Sequence, residues 1–184
     1  MKSYQQLTHE FRPVFNEESR ILILGTFPSV KSREEHFYYG HPQNRFWKVL
    51  AAVTDEPVPI DILQKKQLLL NHHIALWDVI KSCEIIGSSD SSIRNVIPAD
   101  IGSLLKQAPI AAIFGNGNKA CELFQKYTLP MFKADNISKP LSDSPVIETV
   151  YSIRKLPSTS PANAAWSLER LIYEWKRQID PFLF

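Results

Sequence analysis

Four short apolar runs punctuate the chain, and stretches with helical periodicity fill the intervals between them. The first run, Arg20-Ile-Leu-Ile-Leu24, ends at Gly25 without any polar alternation, the pattern of a strand covered on both faces. The loop Thr26-Phe27-Pro28-Ser29 follows it. Pro42 then opens an expected helix with Phe46, Trp47, Leu50 and Val53 on one face, and a second helix is expected from about Ile60 to Asn71. Ile74–Ile80 reads as the second strand, with Asp78 an odd polar residue near its end. Pro98 begins a helical pattern carrying Ile101, Leu104, Leu105 and Ala108. Ile110–Phe114 is the third buried strand, and Gly115-Asn-Gly-Asn118 leads from it into a helix with Ala120, Leu123, Phe124 and Tyr127 on one side. After a looser stretch, Lys133–Ser144, the run Val146–Ile153 is the fourth strand. The last helix is expected to take Ser160 as N-cap and Pro161 as its first residue, with Ala165, Leu168, Ile172, Trp175 and Ile179 as the buried stripe.

Strands alternating with helices imply an α/β fold: a single-domain, three-layer αβα sandwich around a central, mainly parallel four-stranded sheet. Residues 1–19 are then an extension packing on it or flanking it. Ligands of such sheets bind beyond the carboxyl ends of the strands. That rule selects the loops Gly25–Ser32, Asp78–Ser92, Gly115–Asn118 and Pro157–Ala162. A length of 184 residues with 44% hydrophobic and 22% charged residues suits one such domain. No run approaches the ~18 apolar residues of a membrane span, and the first residues form no apolar signal core, so the cytoplasm is the expected location.

The remaining composition mainly excludes. Cys83 and Cys121 stand far apart, too few for a four-thiolate cluster; they read as free thiols, the alternative being one buried disulfide. His36, His41, His72 and His73 have no carboxylate at ligand spacing, so no metal or cofactor is expected. Gly115-Asn-Gly-Asn118 has neither the Gly-Lys-Ser/Thr of a phosphate loop nor the three-glycine dinucleotide pattern. A net charge of +2 neither announces nucleic acid nor excludes it.

Four segments carry a resemblance. Gly25-Thr-Phe-Pro-Ser29 follows the first strand, and Tyr38-Tyr-Gly-His-Pro-Gln-Asn-Arg-Phe-Trp47 comes next. Ala75-Leu-Trp-Asp-Val-Ile80 and Leu156-Pro-Ser-Thr-Ser-Pro-Ala162 complete the set. Together they resemble the uracil-DNA glycosylase superfamily over about Ile21 to Trp175. The His-Pro-x-Asn-x-Phe-Trp segment is similar to the mismatch-specific uracil glycosylases, and the whole set is closer to the DNA-deoxyinosine (hypoxanthine-DNA) glycosylase branch. Uracil-excising members place an Asp or Asn just before the proline of the first motif, where this chain has Phe27. In the deoxyinosine branch that loss is normal, and the resemblance implies that Asn44 takes the catalytic role. It further implies DNA containing a deaminated base as the partner, a monomer, and hydrolysis after base flipping.

The residues support definite roles beside plainer ones. Asn44, expected in the first turn of its helix, has a carbonyl oxygen able to orient water and face a developing sugar cation; the plainer role is a solvated first-turn residue. Phe27 stacks on a flipped base or simply packs in the core, and Tyr39 is a candidate pocket wall. Gly25, Thr26, Pro28, Ser29 and His41 belong to the same expected base pocket. Asp78 either anchors the amides of the loop after it or offsets positive charge on the sugar. Asn116 either reads the base or caps the following helix. Lys31, Arg45 and the segment Pro157, Ser158, Thr159, Ser160, Pro161 are candidate DNA contacts, with Arg33, Lys48, Arg154 and Lys155 nearby. No lysine stands in a recognisable nucleophile motif, which argues against a Schiff-base mechanism. The rivals are a mismatch uracil glycosylase, a damage-binding domain without catalysis, and a small-molecule enzyme on the same sheet.

Overall fold

Ile21, Leu22, Ile23 and Leu24 are wholly buried, which requires cover on both faces of their strand. The computed structural model describes residues 3–134 and 152–183 and supplies that cover. Strand β2 (Ile21–Gly25) lies inside a parallel sheet, between β3 (Ile74–Asp78) on one side and β6 (Ala112–Asn116) on the other. Strand β7 (Ile153–Leu156) extends the sheet beyond β6, giving the order β3-β2-β6-β7. Alternate residues of β2 feed two separate cores. Ile21 and Ile23 pack with α2 (Phe46–Val53) and the last helix, α7 (Leu168–Leu183), through Phe46, Leu50 and Trp175. Leu22 and Leu24 pack on the opposite face with Ile101 and Leu104 of α4 (Ile101–Leu105) and with Leu123 of α5 (Asn118–Leu123). Three layers result, as the strand–helix alternation implied.

Several boundaries differ from the sequence reading, each for a local reason. Pro42 lies in a turn rather than a helix, where the Asn44 N–H donates to the His41 carbonyl at 2.8 Å; the helix starts only at Phe46. Helix α3 spans Ile62–Asn71, capped by Asp61, which accepts from the Gln64 N–H at 2.8 Å. Pro98 ends a strand instead of opening a helix, and Asp100 caps α4 through the Ser103 N–H. The third parallel strand begins at Ala112, two residues later than expected. After α5 the chain continues through a π-helical segment, Phe124–Thr128, into α6 (Leu129–Ala134). Ser160 and Pro161 do not start the last helix: Ser167 caps it, accepting from the Arg170 N–H at 3.2 Å. Its buried stripe is accordingly Leu171, Trp175 and Ile179, and Ala165 lies before the helix, exposed. Of the expected strand Val146–Ile153, residues 146–151 lie outside the described residues, as do 135–144 of the looser stretch; among the described residues the strand runs from Ile153 to Leu156 and shares only Ile153 with the expected one.

The largest difference is a second, antiparallel sheet. The expected loop Asp78–Ser92 contains β4 (Ile80–Ile85), which pairs with β5 (Arg94–Pro98) and with β1 (Gln5–Thr8). The N-terminal residues are thus woven into the sheets, and Val14 makes a further bridge to Leu76 of β3. Helix α1 (Val30–Glu34) is a single short turn after β2, capped by Ser29. Cys83 and Cys121 are both free, and burial pushes the Cys83 thiol up to about 11. No helix among the described residues is long and apolar enough to cross a membrane.

Candidate active site

The parallel register sets Gly25 opposite Asp78 and Asn116 opposite Leu156, so the ends of all four strands meet at one edge of the sheet. A cavity of about 300 Å³ opens there. From the first loop it is lined by Gly25, Thr26, Phe27, Pro28, Ser29 and Lys31, and from the next by Tyr39, His41 and Asn44. Asp78, Asn116 and the segment Ser158, Thr159, Ser160, Pro161 close it. Arg45 and Pro157 alone among the expected residues stay outside this wall.

Gly25 is required by close approach. A Cβ there would stand 2.2 Å from Asp78 Oδ1 and 2.9 Å from the Tyr39 hydroxyl, so both side chains reach over its backbone. Asp78 is 4% exposed. No amide of the following loop takes its carboxylate among the described hydrogen bonds; instead Oδ2 accepts from His9 Nε2 at 2.8 Å. Tyr39 adopts a left-handed backbone (φ 53°), a conformation that costs a bulky residue about 1–3 kcal/mol. Its ring stacks on Phe46 at 3.9 Å, which holds it there. Its hydroxyl is buried without a hydrogen-bond partner among the described residues. Burial, and then the Asp78 carboxylate, raise its pKa far above the ordinary tyrosine value, so the hydroxyl keeps its proton. Phe27 both packs in the core and walls the cavity.

Asn44 precedes its helix by two residues and is pinned by its oxygen. Oδ1 accepts from the Phe46 backbone N–H at 3.0 Å and from the Thr159 hydroxyl at 2.9 Å. A backbone N–H can only donate, so the oxygen and nitrogen ends of this amide are assigned unambiguously. The oxygen expected to face a water is therefore occupied, and Nδ2, without a partner among the described residues, is the free end. Thr159 is itself clamped by Asn116, whose Nδ2 donates to its Oγ1 at 2.9 Å and whose Oδ1 accepts from its N–H at 3.0 Å. Asn116 is thus no helix cap; Gly117 occupies that position, with φ 96°. Removing the Thr159 hydroxyl leaves Asn116 Nδ2 without its acceptor in a buried site. Thr159→Val is expected to cost about 1–3 kcal/mol in urea melts. It should also slow the base release that the resemblance implies for Asn44 by about tenfold to a hundredfold as that side chain loosens. An unchanged rate would mean that this chain of bonds does not hold the working amide.

Cations at the rim are less available than their sequence positions imply. Arg45 does not project outward: its guanidinium donates to the carbonyls of Thr159, Ser160, Asn163 and Trp166, bracing the loop after β7. Lys31, at the mouth, pairs with Glu34 at 2.6 Å. Arg33 donates to the Pro28 carbonyl, and Arg154 lies over the Phe182 ring. Lys155, with Pro157, lines a second hollow continuous with the first through Asp90, Ser158 and Ser160. Six cavity residues were not named as site residues in the sequence reading, Val30, Ser32, Tyr38, Ile85, Ser88 and Asp90, and neither was His9 behind Asp78. Asp90 sits solvent-exposed in a 3-10 turn (Asp90–Ser92) after β4, where partial desolvation by the surrounding chain raises its carboxyl pKa. Only the unexpected strand β4 brings that turn to the cavity. Among the described residues no cluster of three or more histidine, cysteine or acidic side chains is placed to hold a metal ion.

This geometry has counterparts. The family model for the uracil DNA glycosylase superfamily matches residues 12–179. A hypoxanthine DNA glycosylase from Methanosarcina acetivorans is 32% identical over 163 residues, 87% of this chain and 90% of that protein. Another, from Methanosarcina barkeri, is 35% identical over 114 residues, 61% of this chain and 72% of its own length. A candidate uracil DNA glycosylase from Methanosarcina acetivorans, solved by solution NMR, superposes with a TM-score of 0.71 at 30% identity, covering 94% of this chain and 96% of that one.

Proposed function

Because this chain belongs to the uracil DNA glycosylase superfamily, we propose that it hydrolyses the N-glycosidic bond of deoxyinosine in DNA and releases hypoxanthine. The observation that carries this reading is the pinned amide of Asn44 in a cavity of single-base size at the strand ends. A base inside a duplex is out of reach, so the nucleotide must swing out, at a cost of a few kcal/mol that is smallest for a mispaired base. Tyr39 and Phe27 offer ring surface to receive it, and stacking of this kind contributes about 1–3 kcal/mol.

As the C1′–N bond breaks, its electron pair goes to the base, and the sugar becomes cationic. Asn44 Nδ2 donates to the departing base, where negative charge grows, and its fixed orientation makes that donor effective. Asp78 Oδ1, turned into the cavity, faces the cationic sugar and accepts a proton of the attacking water, whose oxygen bonds to C1′. Lys31, the one lysine in the wall among the described residues, is held by Glu34 at the mouth, consistent with hydrolysis rather than a lysine adduct. The hydroxyls and amides of Ser158 and Ser160 meet backbone phosphate, positioning DNA without reading sequence. Arg45 serves by shaping that loop. The same reading has the protein acting as a monomer in the cytoplasm.

The test is single-turnover base release from labelled duplexes carrying deoxyinosine, deoxyuridine or normal bases only. Release from deoxyinosine supports the proposal. Release of uracil alone would make the protein a mismatch uracil glycosylase. Tight binding of damaged duplex with no release would leave a damage-binding domain.

A further inference from the structure

The segment after β1 brings a histidine behind the cavity wall, where no motif marked one. His9 Nε2 lies 2.8 Å from Asp78 Oδ2, and the two side chains are 3% and 6% exposed. The other ring nitrogen decides where the proton sits. The Phe11 backbone N–H points at His9 Nδ1 across 3.1 Å. An N–H can only donate, so Nδ1 carries a lone pair and the proton is on Nε2. His9 therefore donates from Nε2 to the Asp78 carboxyl oxygen. The rings of Phe11, Phe27 and Tyr38 stand around it at 5.1, 6.0 and 5.8 Å, leaving no room to swing out to water. Its backbone is fixed as well, the His9 N–H donating to the Lys81 carbonyl at 2.7 Å.

We propose that His9 is a positioning residue of this active site: by holding Oδ2 of Asp78 it keeps the carboxylate ionised, with Oδ1 turned toward the bound nucleotide. The inference rests on the role given to Asp78 under Proposed function. Few other groups face that carboxylate. Tyr38 and Tyr39 approach from the loop after α1, and Asp90 from the turn after β4. The Tyr38 hydroxyl donates to the Arg12 carbonyl, the Tyr39 hydroxyl has no hydrogen-bond partner among the described residues, and Asp90 is acidic. Among the described residues no lysine or arginine lies within ion-pair distance of Asp78. Among the described residues His9 is the only side chain that hydrogen-bonds the Asp78 carboxylate, and a buried carboxylate without a donor is neutralised by taking up a proton.

The deciding experiment is the pH profile of single-turnover base release for His9→Leu, His9→Asn and His9→Gln, with Asp78→Asn in parallel. The Gln amide nitrogen is as many bonds from Cα as Nε2 and can replace it. The Asn amide is one bond short and cannot, while disturbing the fold less than Leu. His9→Leu and His9→Asn should be about tenfold slower on the acidic side of the profile and recover as pH rises, a one-unit upward displacement of that limb being a tenfold loss there. Their affinity for undamaged duplex should stay unchanged, and His9→Gln should restore the profile. Equal loss at every pH, no loss, or a Gln variant as impaired as Asn would overturn the proposal. An inactive Asp78→Asn beside a fully active His9→Asn would strike this inference alone. A fully active Asp78→Asn would remove the role of Asp78, and that of His9 with it.

Discussion

Asn44→Ala is expected to slow single-turnover release of hypoxanthine by about 10²–10³-fold, the usual effect of losing one preorganised donor. Binding to undamaged duplex should be unaffected, because the side chain lines the cavity. The more informative variant is Asn44→Asp. Its carboxylate keeps an oxygen for the Phe46 N–H and the Thr159 hydroxyl, which hold the native side chain at 3.0 and 2.9 Å. What it lacks is the N–H₂ group. If the nitrogen end is the working end, Asn44→Asp should be as slow as Asn44→Ala. A largely active Asn44→Asp would show instead that an oxygen does the work, restoring the water-orienting role that the sequence first implied.

The second large effect concerns stability. Trp175→Ala is expected to lower the free energy of unfolding by about 3–5 kcal/mol. Trp175 is fully buried, packs edge-on against Phe46 with centroids 5.8 Å apart, and donates from Nε1 to the Pro157 carbonyl at 2.9 Å. Those contacts join α7 to the ring under Tyr39 and to the first residue of the loop that holds Thr159. Trp175→Phe keeps most of the packing and loses the donor, so it should cost much less, about 1 kcal/mol beyond its lost volume. Denaturant melts of the two variants separate packing from bonding. If Trp175→Ala cost less than about 1 kcal/mol, the helix would not be what supports the site.

Three of the four parallel strands were legible because they are continuous apolar runs ending in glycine or polar residues. Gly25 and Asp78 mark such ends directly. The fourth, β7, Ile-Arg-Lys-Leu, is not such a run and lies, but for Ile153, beyond the strand expected there. The antiparallel sheet was not legible for a physical reason. Gln5–Thr8 is an exposed, largely polar edge strand, and Ile80–Ile85 mixes buried and solvent-facing positions, so neither stands out from a loop. Missing that sheet meant missing His9 and Asp90, which only it delivers to the cavity. The cavity wall itself was largely foreseen, since the rule of strand ends and the four motifs chose the same loops. What residue identity does not carry is direction. The amide of Asn44 and the guanidinium of Arg45 were recognisable as polar groups near a site. Which end of the one is free, and that the other turns inward onto four carbonyls, depends on atoms more than 110 positions away, the Thr159 hydroxyl for Asn44 and backbone carbonyls for Arg45.

That distance bears on how the protein comes to life. The oxygen of Asn44 is held by Thr159, and Thr159 by Asn116, so the amide acquires its fixed aim only after β6 and the loop beyond β7 have docked. A nascent chain on the ribosome can form β2 and α2 early yet remain inert toward DNA until residue 159 has emerged and closed the circuit. Base release is then a late reporter of maturation, and partly folded chains should be harmless to the genome they sit beside.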